Sequence, residues 1–498
     1  MQHEIEKIRN SSFSGKMKFL LKDFAIYGVV GMMSRLMGLF LIPVIARIFE
    51  PAEYGVVDNI RVVYEIIIAL SLLGLNQAVG VFVFQTENSQ ERRAIAAEGM
   101  IVSLMFCLLV CTILFFNADN VLSFFSIPRG TRTLEFRLML LTLPFTLITV
   151  FVQQLLKWNF KRFQYMLVSL GGPVILVAAT LVYILKLDLG LAGVFYGQLT
   201  SSFIVAVAGF FFCSEYFALP KKFVHLKEML HFSWPLMTVS LLSSFMPAID
   251  RKIISANMSS TDVGTYALGD RFSRLINIVS GGFSMAWGPF ALSINKEKDA
   301  AVVYSRVFTL HVVALTAIGF FVLSVSQPLV VFFASVKYLN SLQIIPFLLF
   351  GLIAESFQEV LEIGILTSKK TIYNILSFLV QLIVSTSVML LLVQPYGIVG
   401  VGVGFMCGKL AFVISKYIFS TYASEMKIPV FKELLVFLAA ITVILCIENA
   451  QLGALLKGCL YAFTGLMILI VGMFVLISKV DRANVFEKIK NRKLKKQS

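Results

Sequence analysis

A chain of 498 residues that is 58% hydrophobic and only 14% charged lacks the polar residues to cover a soluble globule and falls among polytopic membrane proteins. Its formal net charge of +15 does not imply nucleic acid, because the basic residues lie in short segments between apolar stretches and in a C-terminal tail, the pattern of a cytoplasmic membrane surface. The six cysteines form no CxxC pair and the four histidines are scattered, so no disulfide frame, metal centre or cofactor is expected.

Residues 1–22 are polar, with no small-residue cleavage site after the first apolar stretch, and read as a cytoplasmic segment without a cleavable signal. The first span, FAIYGVVGMMSRLMGLFLIPVIA (24–46), carries Arg35 at its midpoint. An arginine there costs roughly 2.5 to 3.5 kcal/mol on insertion scales, so it belongs in a wet cavity or beside a partner. Further apolar windows follow near 60–84, 98–117, 134–155, 165–185, 191–213, 232–249, 266–293, 302–325, 342–365, 371–393, 397–420, 432–449 and 454–477, which makes about 14 transmembrane helices in an all-α polytopic membrane protein. The second and eighth are crowded by charge: Asp58, Arg61 and Glu65 in one, Asp270, Arg271 and Arg274 in the other. Between the spans, 28 Lys and Arg fall on the side of the N-terminus and 9 on the other, which places both termini in the cytoplasm.

The second half echoes the first. AEYG (52–55) answers TDVG (261–264) at an offset of 209, and GLAGVFYG (190–197) answers GIVGVGVG (397–404) at 207. A repeat of six helices enters the membrane from the same side in both copies, so the expected architecture is two parallel six-helix lobes plus two C-terminal helices, with substrate between the lobes. The boundaries read as an N-lobe at 23–213, a cytoplasmic linker SEYFALPKKFVHLKEML at 214–230, a C-lobe at 231–420, two further helices within 432–477, and a basic cytoplasmic tail at 478–498.

Arg61 maps within one residue of Arg271 under the repeat, and Arg271 and Arg274 share a helical face. Four arginines facing lipid would cost on the order of 10 kcal/mol, so Arg35, Arg61, Arg271 and Arg274 must be hydrated or paired. Asp58, Glu65 and Asp270 are the acidic residues able to neutralise three of them, whereas Arg35 has none within four residues. A guanidinium grips pyrophosphate bidentately, which makes these four candidate ligands for an anionic, amphiphilic substrate. Asn76 and Gln77 are candidate sugar contacts or plain interhelical hydrogen bonders. In span 10, Glu355, Glu359 and Glu362 lie on one face and are candidate ion-coupling groups for H+ or Na+, Glu355 first among them as the deepest, with pairing to Lys409 or Lys416 of span 12 the alternative. Glycines 28, 31 and 38 with Pro43 in span 1, and Pro235 and Pro247 in span 7, are candidate bending points or simple close-packing positions.

Taken together, LIPVIARIFEPAEYGVVD (41–58), SLLGLNQAVGVFVF (71–84) and DRKIISANMSSTDVGTYALGDRF (250–272) resemble the polysaccharide biosynthesis (O-antigen type) flippases of the multidrug/oligosaccharidyl-lipid/polysaccharide exporter superfamily. The resemblance implies a V-shaped transporter that moves undecaprenyl-pyrophosphate-linked oligosaccharide from the cytoplasmic to the periplasmic leaflet of the bacterial inner membrane. It also implies membrane lipids and other polysaccharide-assembly proteins as partners. MSRLMG (33–38) is similar to the first-helix arginine region of lipid II flippases, which implies a head-group role for Arg35, although no acidic residue follows soon after Gly38. The alternative is a cation-coupled multidrug antiporter of the same superfamily. An enzyme is not expected, because membrane glycan polymerases and transferases commonly place their catalytic groups in large outer loops, and the longest here is 117–133.

Overall fold

A computed structural model describes residues 29–31, 33–34, 36–37 and 41–472, apart from 87, 126, 160, 217–222, 295–299, 369, 371, 425–427 and 451. Every regular element among the described residues is helical, as the apolar windows require of a chain that must satisfy its backbone inside a bilayer. In chain order these are α1 (Leu41–Ile48), α2 (Pro51–Leu72), α3 (Leu75–Gln85), α4 (Ser89–Phe116), α5 (Ala118–Phe124), α6 (Thr133–Trp158), α7 (Arg162–Leu185), α8 (Ala192–Phe212), α9 (Leu226–Asn257), α10 (Ser260–Ser273), α11 (Ile276–Ile294), α12 (Ala300–Ser324), α13 (Ser326–Phe333), α14 (Ile345–Ser356), α15 (Gln358–Leu361), α16 (Ile363–Ser368), α17 (Ile372–Ser424), α18 (Phe431–Asn449) and α19 (Ala454–Val471). Nine of the described helices are long and apolar enough to cross a membrane, or ten if the pair bent by 54° at Val336–Gln343 and Ile345–Leu361 is one span. One of the nine, α17, turns at Gly397 (φ 55°, ψ −135°) and covers both expected spans 11 and 12.

Two compact units divide the chain, Met1–Ala267 and Leu268–Ser498. In the first, α2 opens on a capping box in which the backbone N–H of Glu50 donates to Glu53 (3.3 Å), with Pro51 at the first helical position. The expected second span is broken between α2 and α3, where Leu73 (φ 50°) and Gly74 (φ 68°) are left-handed. Gly74 is required there, because a Cβ would lie 2.7 Å from the Ser233 carbonyl oxygen of α9. The start of α9 is fixed by Glu98 of α4, whose buried carboxylate accepts from the backbone N–H groups of Val224 (3.2 Å) and His225 (3.0 Å). An anion there meets the positive end of the helix. The expected span 7 is therefore an integral part of this first unit.

In the second unit, Phe437 of α18 packs on Phe350 and Phe357 (ring centroids 5.7 and 5.0 Å), and Phe308 of α12 completes the cluster against Phe357 (5.7 Å). The last helix, α19, seats on α12 through glycines spaced by sevens. A Cβ at Gly458 or Gly465 would come within 3.0 or 3.1 Å of the carbonyl oxygens of Ser324 and Ala317. With no hydrophobic drive between helices in lipid, such small residues allow the close backbone approach that holds them together.

Candidate functional site: charges buried within the spans

Unit 1 holds an ion cluster that the sequence did not reveal. Arg251 of α9, its side chain 3% exposed, donates through Nε to Asp58 Oδ2 of α2 at 2.8 Å. Its guanidinium also lies over the Tyr266 ring (4.9 Å), and the Tyr266 hydroxyl donates to Asp250 Oδ2 at 3.1 Å. Asp58 thus pairs across 193 residues of chain and not with Arg61 one turn away. The reason is facial: Asp58 is buried, while Arg61 and Glu65 are exposed and pair with each other (3.5 Å). Arg251 and Asp250 fall between the expected spans 7 and 8, where the sequence reads them as loop charges.

At the same end of the unit, the repeat-related glycines meet. A Cβ on Gly55 would lie 2.9 Å from the backbone nitrogen of Gly264, and one on Gly264 would lie 1.7 Å from the Pro51 carbonyl oxygen. The starts of α2 and α10, residues 51 and 260, differ by 209, the offset read from the sequence.

Unit 2 holds a ladder of charges between the expected spans 10 and 12. Lys409 Nζ donates to Glu355 Oε1 at 2.6 Å, and Lys416 Nζ donates to Glu362 Oε2 and to Asn374 Oδ1, each at 2.7 Å. Both rungs join residues 54 apart, and 355 to 362 and 409 to 416 are both steps of seven, so two parallel helices meet every second turn in constant register. The Lys416 side chain is 3% exposed, which makes its partner obligatory. Between the rungs, Glu359 accepts from the neutral Ser284 hydroxyl at 2.8 Å. The backbone joining α14, α15 and α16 stays in the right-handed helical region at Phe357 (φ −65°, ψ −23°) and Glu362 (φ −81°, ψ −1°), and it tightens there through bonds such as Phe357 N–H to the Ala354 carbonyl (3.0 Å). At the repeat offsets, the corresponding first-half residues are Leu147, Phe151, Gln154, Ser202 and Gly209, so the ladder is confined to the second copy.

Of the candidate substrate ligands, Arg274 pairs with buried Asp270 (3.0 Å), Arg271 is half-buried beside it on α10, and Arg61 is half-exposed. Arg35 lies outside the described residues, as do Gly28, Gly38 and the side chain of Pro43. Asn76 and Gln77 occupy the first turn of α3, half-buried and exposed, just after the left-handed break. The described residues contain no group of three or more His, Cys, Asp or Glu side chains able to hold a metal.

The family model described as "Polysaccharide biosynthesis protein" matches residues 44–284. The family is the one expected from the sequence. The matched stretch takes in AEYG and its echo TDVG, and with them the glycine crossing and the Asp58–Arg251 pair. No curated protein matches the chain. Solved structures of similar fold include lipid II flippase MurJ in an inward closed conformation, at 14% identity over 90% of this chain and 99% of that one, with a TM-score of 0.71. An inward-facing multidrug resistance MATE family transporter of the MOP superfamily matches at 14% identity over 81% and 94%, TM-score 0.66. A mutant of the Vibrio cholerae MATE transporter VcmN matches at 15% identity over 82% and 97%, TM-score 0.62. At these identities the likeness establishes the fold: a multi-pass membrane protein built like the transporters of this superfamily.

Proposed function

We propose that this chain is a flippase that moves undecaprenyl-pyrophosphate-linked oligosaccharide, the repeat unit of an O-antigen, capsule or exopolysaccharide, by alternating access. It would work from the cytoplasmic to the periplasmic leaflet of a bacterial inner membrane, with both termini cytoplasmic. The observation that carries this reading is the polysaccharide-biosynthesis match over residues 44–284, joined to arginines within expected spans. On this reading two six-helix lobes, 23–213 and 231–420, do the transport, while the linker 214–230 joins them and the segments 432–477 and 478–498 are accessory. Arg35, Arg61, Arg271 and Arg274 are the pyrophosphate ligands, Asn76 and Gln77 the sugar contacts, and Glu355, Glu359 and Glu362 the coupling groups for H+ or Na+. Glu359 is foremost among the three, since its neighbours are engaged by lysines while it meets only a hydroxyl.

The glutamate ladder and the MATE neighbours favour a second reading, a cation-coupled multidrug antiporter. A deletion strain separates the two. The flippase reading predicts lipid-linked glycan trapped where an impermeant labelling reagent applied to spheroplasts does not reach it. Normal labelling together with lost efflux of a cationic dye would favour the antiporter.

A further inference from the structure

A cavity of about 420 Å³ opens in unit 1 beside the glycine crossing, lined by Glu53, Asn59, Phe125, Thr131, Arg132 and Ser260 among others. That volume lies within the range of small-ligand sites and equals the liquid-water share of roughly a dozen waters. Its polar groups are arranged unevenly. Arg132, held in a left-handed conformation (φ 61°), bridges two carboxylates, Glu53 at 3.3 Å and Glu135 at 3.1 Å. Two acids therefore share one guanidinium, and no lysine or further arginine lines the cavity. Asn59 is 4% exposed, and its Oδ1 has no hydrogen-bond partner.

A buried amide oxygen without a donor costs on the order of 1–3 kcal/mol, a cost removed when a ligand supplies an O–H or N–H. Phe125 offers an apolar face at the same rim, which suits the carbon-bound hydrogens of a sugar ring. The one guanidinium of the lining is already engaged by Glu53 and, from outside the lining, by Glu135, so an acidic ligand finds no free cation here.

We propose that this cavity is a binding site for a neutral or N-acetylated sugar residue, with Asn59 Oδ1 accepting from a ring hydroxyl or acetamido N–H and Glu53 and Arg132 contacting neighbouring hydroxyls. It rests on the flippase reading for its biological ligand, a sugar of the translocated glycan. It is distinct from the arginines assigned to the pyrophosphate, and it selects against uronic acids at this position. Its place where the two repeat copies meet puts sugar occupancy next to the contact that any rearrangement of α2 against α10 must alter.

The test uses the full chain in lipid nanodiscs and two soluble probes, methyl N-acetylglucosaminide and methyl glucuronide, followed by saturation-transfer NMR. Wild type is expected to bind the first and at least about tenfold more weakly the second, and Asn59→Leu to weaken the first about tenfold with unchanged thermal unfolding. Equal affinity in wild type and Asn59→Leu, preference for the glucuronide, or no binding of either probe would overturn the proposal. Thr131→Val, which removes a lining hydroxyl without leaving a charge, is the second variant and is expected to weaken binding in the same direction. The sugar result is independent of the deletion strain. Glycan trapped in the deletion strain without Asn59-dependent binding rejects the cavity alone, and Asn59-dependent binding with normal outer labelling rejects the flippase alone.

Discussion

Gly55 and Gly264, equivalent positions of the two repeat copies, stand back to back, with the Gly264 nitrogen 2.9 Å from where a Gly55 Cβ would be. No side chain fits between them, since a Cβ on Gly264 would overlap the Pro51 carbonyl. Gly264→Ala is expected to separate α2 from α10, lowering both the thermal midpoint of the purified protein and surface glycan in cells. Gly282→Ala, where nothing lies within 4 Å, is the matched control and should change neither. Equal midpoints for the two variants would show that the crossing is not a close-packed joint.

Removing one partner of a buried ion pair leaves the other charged in a low-dielectric site. Arg251→Met should therefore destabilise unit 1 by roughly 3–5 kcal/mol, and Asp58→Leu by a similar amount. The double variant Arg251→Met with Asp58→Leu should recover most of that loss, because an apolar pair of similar volume avoids the desolvation cost. Calorimetry on the four proteins gives the coupling, and strictly additive losses would argue against the pair.

Within the ladder, the three glutamates should behave differently. Glu355→Gln or Glu362→Gln strands a buried lysine and should reduce the amount of folded protein. Glu359→Gln keeps a hydrogen-bonding partner for Ser284 and should leave folding intact while removing the dependence of transport on the H+ or Na+ gradient. Gradient-driven uptake in vesicles, compared with exchange under no gradient, separates these effects. Retained gradient dependence in Glu359→Gln would move the coupling site elsewhere.

Outside the spans, Asp119 Oδ1 accepts from the backbone N–H of Gly130 (3.1 Å) and from the Thr133 hydroxyl (2.8 Å). These bonds favour the charged form and hold the carboxyl below the usual carboxylate range. A lowered folded-state value means the contribution is present above the ordinary value and is lost as pH falls through the folded one. Proteolysis of the 117–133 loop should thus be slow at neutral pH and accelerate in strong acid. In Asp119→Ala it should be fast at every pH. A wild-type loop cut equally at both extremes would contradict this.

The spans were readable because apolar length and charged punctuation are local properties, as in α4, α6, α7 and α8. The Arg61–Glu65 pair was legible only as an alternative, because Asp58 also lies one turn from Arg61 and the sequence offers both acids. The Glu355–Lys409 and Glu362–Lys416 rungs were legible as alternatives only, because the sequence names the four charges and not which helices face each other. Asp58–Arg251 was hidden, since its partners are 193 residues apart and Arg251 sits where a loop was expected. The break at Leu73–Gly74 escaped notice too, because an apolar run with one glycine reads as continuous helix until α9 is known to press against it.

The most direct measurement is flipping by the purified full chain in proteoliposomes, using a fluorescent undecaprenyl-pyrophosphate oligosaccharide and an impermeant quencher added outside. A flippase makes quenching rise from the outer-leaflet fraction toward completion in protein-containing vesicles, and Arg271→Ala is expected to abolish the rise. Quenching that stops at the outer-leaflet fraction, as in protein-free vesicles, would contradict the assignment.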